Sequence, residues 1–72
     1  MRTLGELKSG ESAVVASFRD NMLASRLMSM GVIPGTQVQI VRKSLTGATY
    51  FLQFSQLALA VRKEEAALIV IE

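Results

Sequence analysis

Cysteine and histidine are both absent from this 72-residue chain. Without cysteine there is no disulfide staple and no thiolate metal site. Without histidine the commonest metal ligand and the usual general base are missing. These absences argue against a zinc module, a cysteine or serine–histidine hydrolase, and a histidine pH switch. Aromatic residues are few: Phe18, Tyr50, Phe51 and Phe54. A nucleic-acid barrel needs a basic face studded with such rings, and strand alternation buries half of these. Charge of either sign is also sparse. Eight Lys/Arg against six Asp/Glu leave a net +2, and the basic residues are scattered. Their adjacent pairs are Arg42-Lys43 and Arg62-Lys63. That is not the dense footprint of a nucleic-acid binder, so no nucleic-acid partner is expected.

Membrane and export signals are missing as well. The first ten residues, MRTLGELKSG, contain Glu6 and Lys8 and no apolar core, unlike a signal peptide. Ser44 to Val61 carries no charge, which raises the question of a membrane span. Thr46, Gly47, Thr49, Gln53, Ser55 and Gln56 interrupt it, and buried β-structure explains it better. The expectation is a soluble, cytoplasmic chain with no membrane insertion of its own.

What is present is a globular balance, 50% apolar and 19% charged. The length allows a single domain over residues 1–72, with a core that is marginal at this size. Leu4 and Leu7 suit one short helical turn, and Ser9-Gly10 a reverse turn. Ser12 to Phe18 reads as a strand. Asp20 is placed to cap a helix from Asn21 to Met30, with Leu23, Leu27 and Met30 as its buried stripe. Gly31 stops that helix and Pro34 prevents its resumption. Pro34-Gly35 fits the centre of a type II turn. Strands follow around Val38 and Ile40, over Tyr50 to Phe54, and over Leu57 to Val61, where Leu57, Leu59 and Val61 share one face. Lys63 to Ala67 resembles one helical turn, and Leu68 to Ile71 a closing strand. The sum is an all-β fold, a small SH3-like or OB-like β-barrel of about five strands with one short inserted helix. Closure into a barrel would bury the core and remove the sheet edges.

Catalysis has little to work with. Asp20 is explained by capping, and Glu64-Glu65 reads as a solvated charged turn rather than a carboxylate pair. Gly31-Val32-Ile33-Pro34-Gly35 is not a phosphate loop, and no Gly-Lys-Ser/Thr occurs. No catalytic residue and no cofactor are expected. Met22, Met28 and Met30 carry soft thioether donors. Met30 falls on the buried stripe, however, and Met28 lies about 140° from Leu23, so they do not meet at one ion. No metal site is expected.

Partner contact fits better. Asn21, Ala24, Ser25 and Ser29 make the outer helix face small and uncharged around Met28. An exposed methionine on such a face suits docking, because its side chain adapts to apolar partners. Met22 belongs to the same helix, and Arg26 flanks the stripe, ready to bind helix carbonyls or a partner carboxylate. Leu45 lies in a polar loop, and alternation turns Phe51 outward. The candidate partner-binding residues are therefore Met22, Ala24, Ser25, Arg26, Met28, Leu45 and Phe51.

The pattern Leu4-x-x-Leu7-x-x-Gly10, then Arg26-Leu27-x-x-Met30-Gly31-Val32-x-Pro34-Gly35, then Val38-x-Ile40, then Leu59-x-Val61-Arg62-x-x-Glu65-Ala66, resembles the FeoA family of ferrous-iron transport proteins. The Arg-Leu…Met-Gly…Pro-Gly block is its most specific part. The resemblance implies an SH3-like barrel with a helical insertion. It also implies a small cytosolic accessory protein whose partner is FeoB, a membrane permease with a GTPase domain, and no enzymatic activity of its own. Family members often carry an Ala-Pro-x-Gly-x-Pro loop where this chain reads Ser44-Leu45-Thr46-Gly47-Ala48-Thr49. The glycine matches and both prolines are missing, so a less rigid loop is expected. The alternatives are a self-associating interaction module forming a homo-oligomer, and a small nucleic-acid-binding barrel.

Overall fold

The computed structural model describes residues 1–72. A 3-10 turn, Leu4–Glu6, precedes β1 (Ser12–Phe18), α1 (Asn21–Ser29) and β2 (Gln37–Lys43). Then come β3 (Thr49–Phe54), β4 (Leu57–Arg62), α2 (Lys63–Ala66) and β5 (Ile69–Ile71). The strands form one antiparallel sheet in the order β4-β3-β2-β1-β5. This is the expected all-β architecture of five strands with one inserted helix.

Alternation explains which side of each strand is buried. Val38 and Ile40 of β2 and Tyr50, Leu52 and Phe54 of β3 face the core. On β4, Val61 is opposite Tyr50 and Leu59 opposite Leu52. The register shifts between Val15 and Ser17 and again between Ile40 and Arg42. Such bulges bend strands, which lets a single sheet wrap one core. Fifteen buried side chains form that core, from Leu4 and Leu7 at one end of the chain to Ile69 and Ile71 at the other. Tyr50 is the polar-tipped member, and its hydroxyl donates to the Gly5 carbonyl at 3.0 Å.

The helix starts and stops for identifiable reasons. Asp20 Oδ2 accepts from the Leu23 N–H at 2.8 Å, satisfying one of the unpaired amides of the first turn. At the other end Gly31 adopts φ 101, a left-handed conformation that glycine reaches without side-chain strain. The Gly31 N–H donates to Met28 O and the Val32 N–H to Leu27 O. These are the two bonds of a Schellman motif.

This motif corrects the expected stripe. Leu23 and Leu27 are buried, but Met30 caps the helix and is 43% exposed. The chain reverses at Gly31 and Val32 fills the place assigned to Met30, packed in the same core as Leu27. Leu57 also differs. It begins β4 beside the Ser55-Gln56 turn, beyond the core, and is 56% exposed.

The sheet does not close by hydrogen bonding, since β4 and β5 lie at opposite ends of the strand order. The segment between them, α2, fills the gap instead. Its Ala66 is fully buried, and Gly5 of the N-terminal turn lies so close that a Cβ there would come within 3.4 Å of the Ala67 backbone. The outer edge of β5 is met by the N-terminal segment, through the Thr3–Val70 bridge and the Ile71 N–H to Arg2 O bond. The outer edge of β4 has no such cover.

Candidate functional site

The candidate face is built on α1. Burying Leu23 and Leu27 turns the rest of the helix toward solvent. Met22 is 84% exposed and Met28 46% exposed, while Ser25 is exposed and Ala24 half-buried. Met22 and Arg26, four residues apart, stand on one stripe. With Asp20, Leu23, Glu65 and Leu68 they line an open cleft of about 430 Å³ between α1 and α2. Met30 and Ile33 continue the exposed apolar surface past the end of the helix.

The Arg26 guanidinium has a carboxylate within its own chain. Its Nη1 lies 2.9 Å from Glu65 Oε2. Glu65 Oε1 meanwhile accepts from the Arg62 backbone N–H at 2.8 Å, at the start of α2. Both carboxylate oxygens are thus engaged, one by α1 and the other by the first turn of α2. The hydrogen bond from Arg26 and then that from the Arg62 N–H hold the Glu65 carboxyl below the usual carboxylate range. The same bond raises Arg26 above its ordinary value. Half of the Arg26 side chain remains exposed, so the pair bridges the two elements at the surface.

Sequence reasoning missed this pair: Glu65 is half-buried and bonded at the surface, while Glu64 is exposed. A signal existed: Glu65 stands three residues after Arg62, the spacing that lets a carboxylate reach back to cap a short helix. Nothing in the linear pattern linked it to Arg26, 39 residues away by number.

The two remaining candidates stand apart from the helix. Leu45 is fully exposed at the tip of the β2–β3 loop. The expected weakness of that loop meets a counterweight. Ser44 donates its N–H to Thr49 O, accepts from Gly47 N–H, and receives the Thr49 N–H on its Oγ. Phe51 faces outward as alternation required, half-buried, with the Arg42 guanidinium 4.0 Å from its ring centroid. Lys43 covers the Tyr50 ring in a similar way at 4.4 Å. Phe51 lies on β3, separated by β2 from β1, the strand that leads into the helix. The seven candidates therefore form a helix group, Met22 to Met28, and two outliers.

No group of three or more Asp or Glu side chains converges as a metal site would require. No helix is long and apolar enough to cross a membrane.

Comparison with known proteins places this geometry. The FeoA domain family model matches residues 2–72. A Campylobacter jejuni protein provisionally named Fe(2+) transport protein A is 31% identical over 65 residues, 89% of this chain and 88% of that protein. The solution structure of FeoA from Chlorobium tepidum superposes with a TM-score of 0.91 at 28% identity, covering 97% of this chain and 68% of that one. The crystal structure of Stenotrophomonas maltophilia FeoA, complexed with zinc and described as a prokaryotic SH3 domain protein, gives a TM-score of 0.86 at 32% identity. It covers 100% of this chain and 91% of that one. A manganese-dependent transcriptional repressor superposes at 0.87 with 13% identity, over 97% of this chain and 35% of its own, a likeness of fold alone. The small five-stranded fold is thus SH3-like.

Proposed function

The chain belongs to the FeoA family, and from that premise we propose that it is a cytosolic accessory protein that docks on a FeoB-type permease and regulates ferrous-iron uptake. The carrying observation is the exposed face of α1, where Met22, Ser25 and Met28 stand toward solvent on a helix held to α2 by Arg26 and Glu65. Exposed methionines on a fixed helix can pack against an apolar partner surface with little ordering cost. The Stenotrophomonas relative is described as a candidate activating factor for ferrous iron transport, which agrees with a regulatory role. Arg26 supports this reading as a strut: to reach a partner's nucleotide it would first have to leave Glu65.

The nucleic-acid alternative loses support from the buried rings. Tyr50 and Phe54 are in the core, leaving Phe51 as the sheet's outward aromatic, already covered by Arg42.

The test is binding of the full chain to the cytosolic GTPase domain of the permease and to the whole permease, in each nucleotide state. Saturable binding, weakened at least tenfold by Met28→Asp or Met22→Asp in folded protein, is expected. No binding to the GTPase domain or to the whole permease, or binding that neither variant changes, would remove this face from the mechanism.

A further inference from the structure

We propose that the free edge of β4 pairs antiparallel with β4 of a second copy of this chain, about a two-fold axis at Leu59. The two-residue turn at Ser55-Gln56 makes Phe54 and Leu57 the hydrogen-bonded pair that closes the β3–β4 hairpin. By alternation Leu57, Leu59 and Val61 turn their backbone groups toward β3, while Ala58, Ala60 and Arg62 turn theirs to the open edge. The Arg62 N–H is taken by Glu65 Oε1. Ala58 and Ala60 keep both N–H and C=O free.

These are the groups that self-pairing needs. With Leu59 opposite the second copy's Leu59, Ala58 exchanges both backbone bonds with the second copy's Ala60, and the reverse. Leu57, 56% exposed, comes to lie opposite the second copy's Val61. Arg62 comes opposite the second copy's Gln56, so no like charges oppose each other. A register moved one residue toward Arg62 would demand the amide that Glu65 holds.

Before Arg62, nothing on the strand guards it against pairing. Edge strands are usually blunted by charge, proline, a bulge or a covering segment. The run Leu57-Ala58-Leu59-Ala60-Val61 has neither charge nor proline, and its register with β3 is unbroken. The β5 edge, by contrast, is covered by residues 2 and 3. Beside the β4 edge the outer face is apolar, with Val41, Phe51, Ala58 and Ala60 lining a shallow hollow. A single strand edge falls below the roughly 1,200 Å² of a stable interface, so the dimer is weak and concentration-dependent.

Sedimentation velocity of the full chain up to about 1 mM, the weak end of specific association, reads this directly. The sedimentation coefficient should rise with concentration, and the Ala58 and Ala60 amides should gain exchange protection in step. Ala60→Pro removes an edge donor at a position where proline is tolerated. Ala60→Lys sets like charges near the axis. Each should weaken association at least tenfold while circular dichroism shows the fold intact, and permease binding through α1 should be unaffected. A monomer at the highest concentration would overturn the proposal. So would association that both folded variants retain, or β4 amides protected by added permease domain but not by concentration.

Discussion

Arg26 Nη1 and Glu65 Oε2 lie 2.9 Å apart, tying the last turn of α1 to the first turn of α2. Because the second Glu65 oxygen caps α2, the two ends of this contact are unequal. Arg26→Ala removes an exposed ion pair, worth about 0.5 kcal/mol. Glu65→Ala removes the pair and the cap together, worth about 1.5 kcal/mol. Urea denaturation should rank Glu65→Ala as the more damaging. The double variant should cost no more than Glu65→Ala alone, since the pair is already lost there. Equal single effects would mean that the cap contributes nothing.

The same contact sets a pH dependence. Glu65 titrates below its ordinary 4.5 when folded, owing first to the Arg26 bond and then to the Arg62 N–H. A depressed folded value means the contribution is complete above about 4.5 and is lost as pH falls through the folded value. Solvent screening at this exposed pair keeps it to about 1 kcal/mol at most. Carboxyl NMR titration should show Glu65 moving up toward 4.5 in Arg26→Ala. An unchanged titration would assign the depression to the α2 cap alone.

Gly31 controls where α1 ends. At φ 101 an alanine is strained even though its Cβ would meet Phe54 Cε2 at an ordinary 3.6 Å. The cost is therefore backbone strain, about 1–2 kcal/mol. A thermal melt of Gly31→Ala should show it as a clear loss of midpoint. A smaller loss in Gly31→Asn is expected, since asparagine visits the left-handed region more readily.

How much of this was legible in the chain depends on whether the cause was local. The strand Ser12–Phe18, the Asp20 cap and the Gly31 stop each follow from neighbouring residues, and the structure has all three. The orientation of Phe51 followed from alternation. Met30 departs from helical periodicity because the Schellman turn removes it from the helix and hands its site to Val32. The Arg26–Glu65 contact and the open β4 edge depend on how distant elements meet. Periodicity carries no information about that, nor about α2 filling the gap between the two edge strands.

Leu27 and Met28 are adjacent in sequence and opposite in consequence. Leu27 is 1% exposed in the core, and Leu27→Ala should cost about 3 kcal/mol through lost burial and the cavity left behind. For a domain of this size that is a large share of roughly 4–11 kcal/mol in total. Met28→Asp changes a half-exposed side chain and should stay within about 0.5 kcal/mol. Parallel denaturation of the two variants checks both numbers. The contrast decides how the binding experiment is read. If Met28→Asp is as stable as the parent and still loses permease binding, the loss belongs to the α1 surface. If it unfolds like Leu27→Ala, Met28 supports the core and the docking face must be sought at Met22 instead.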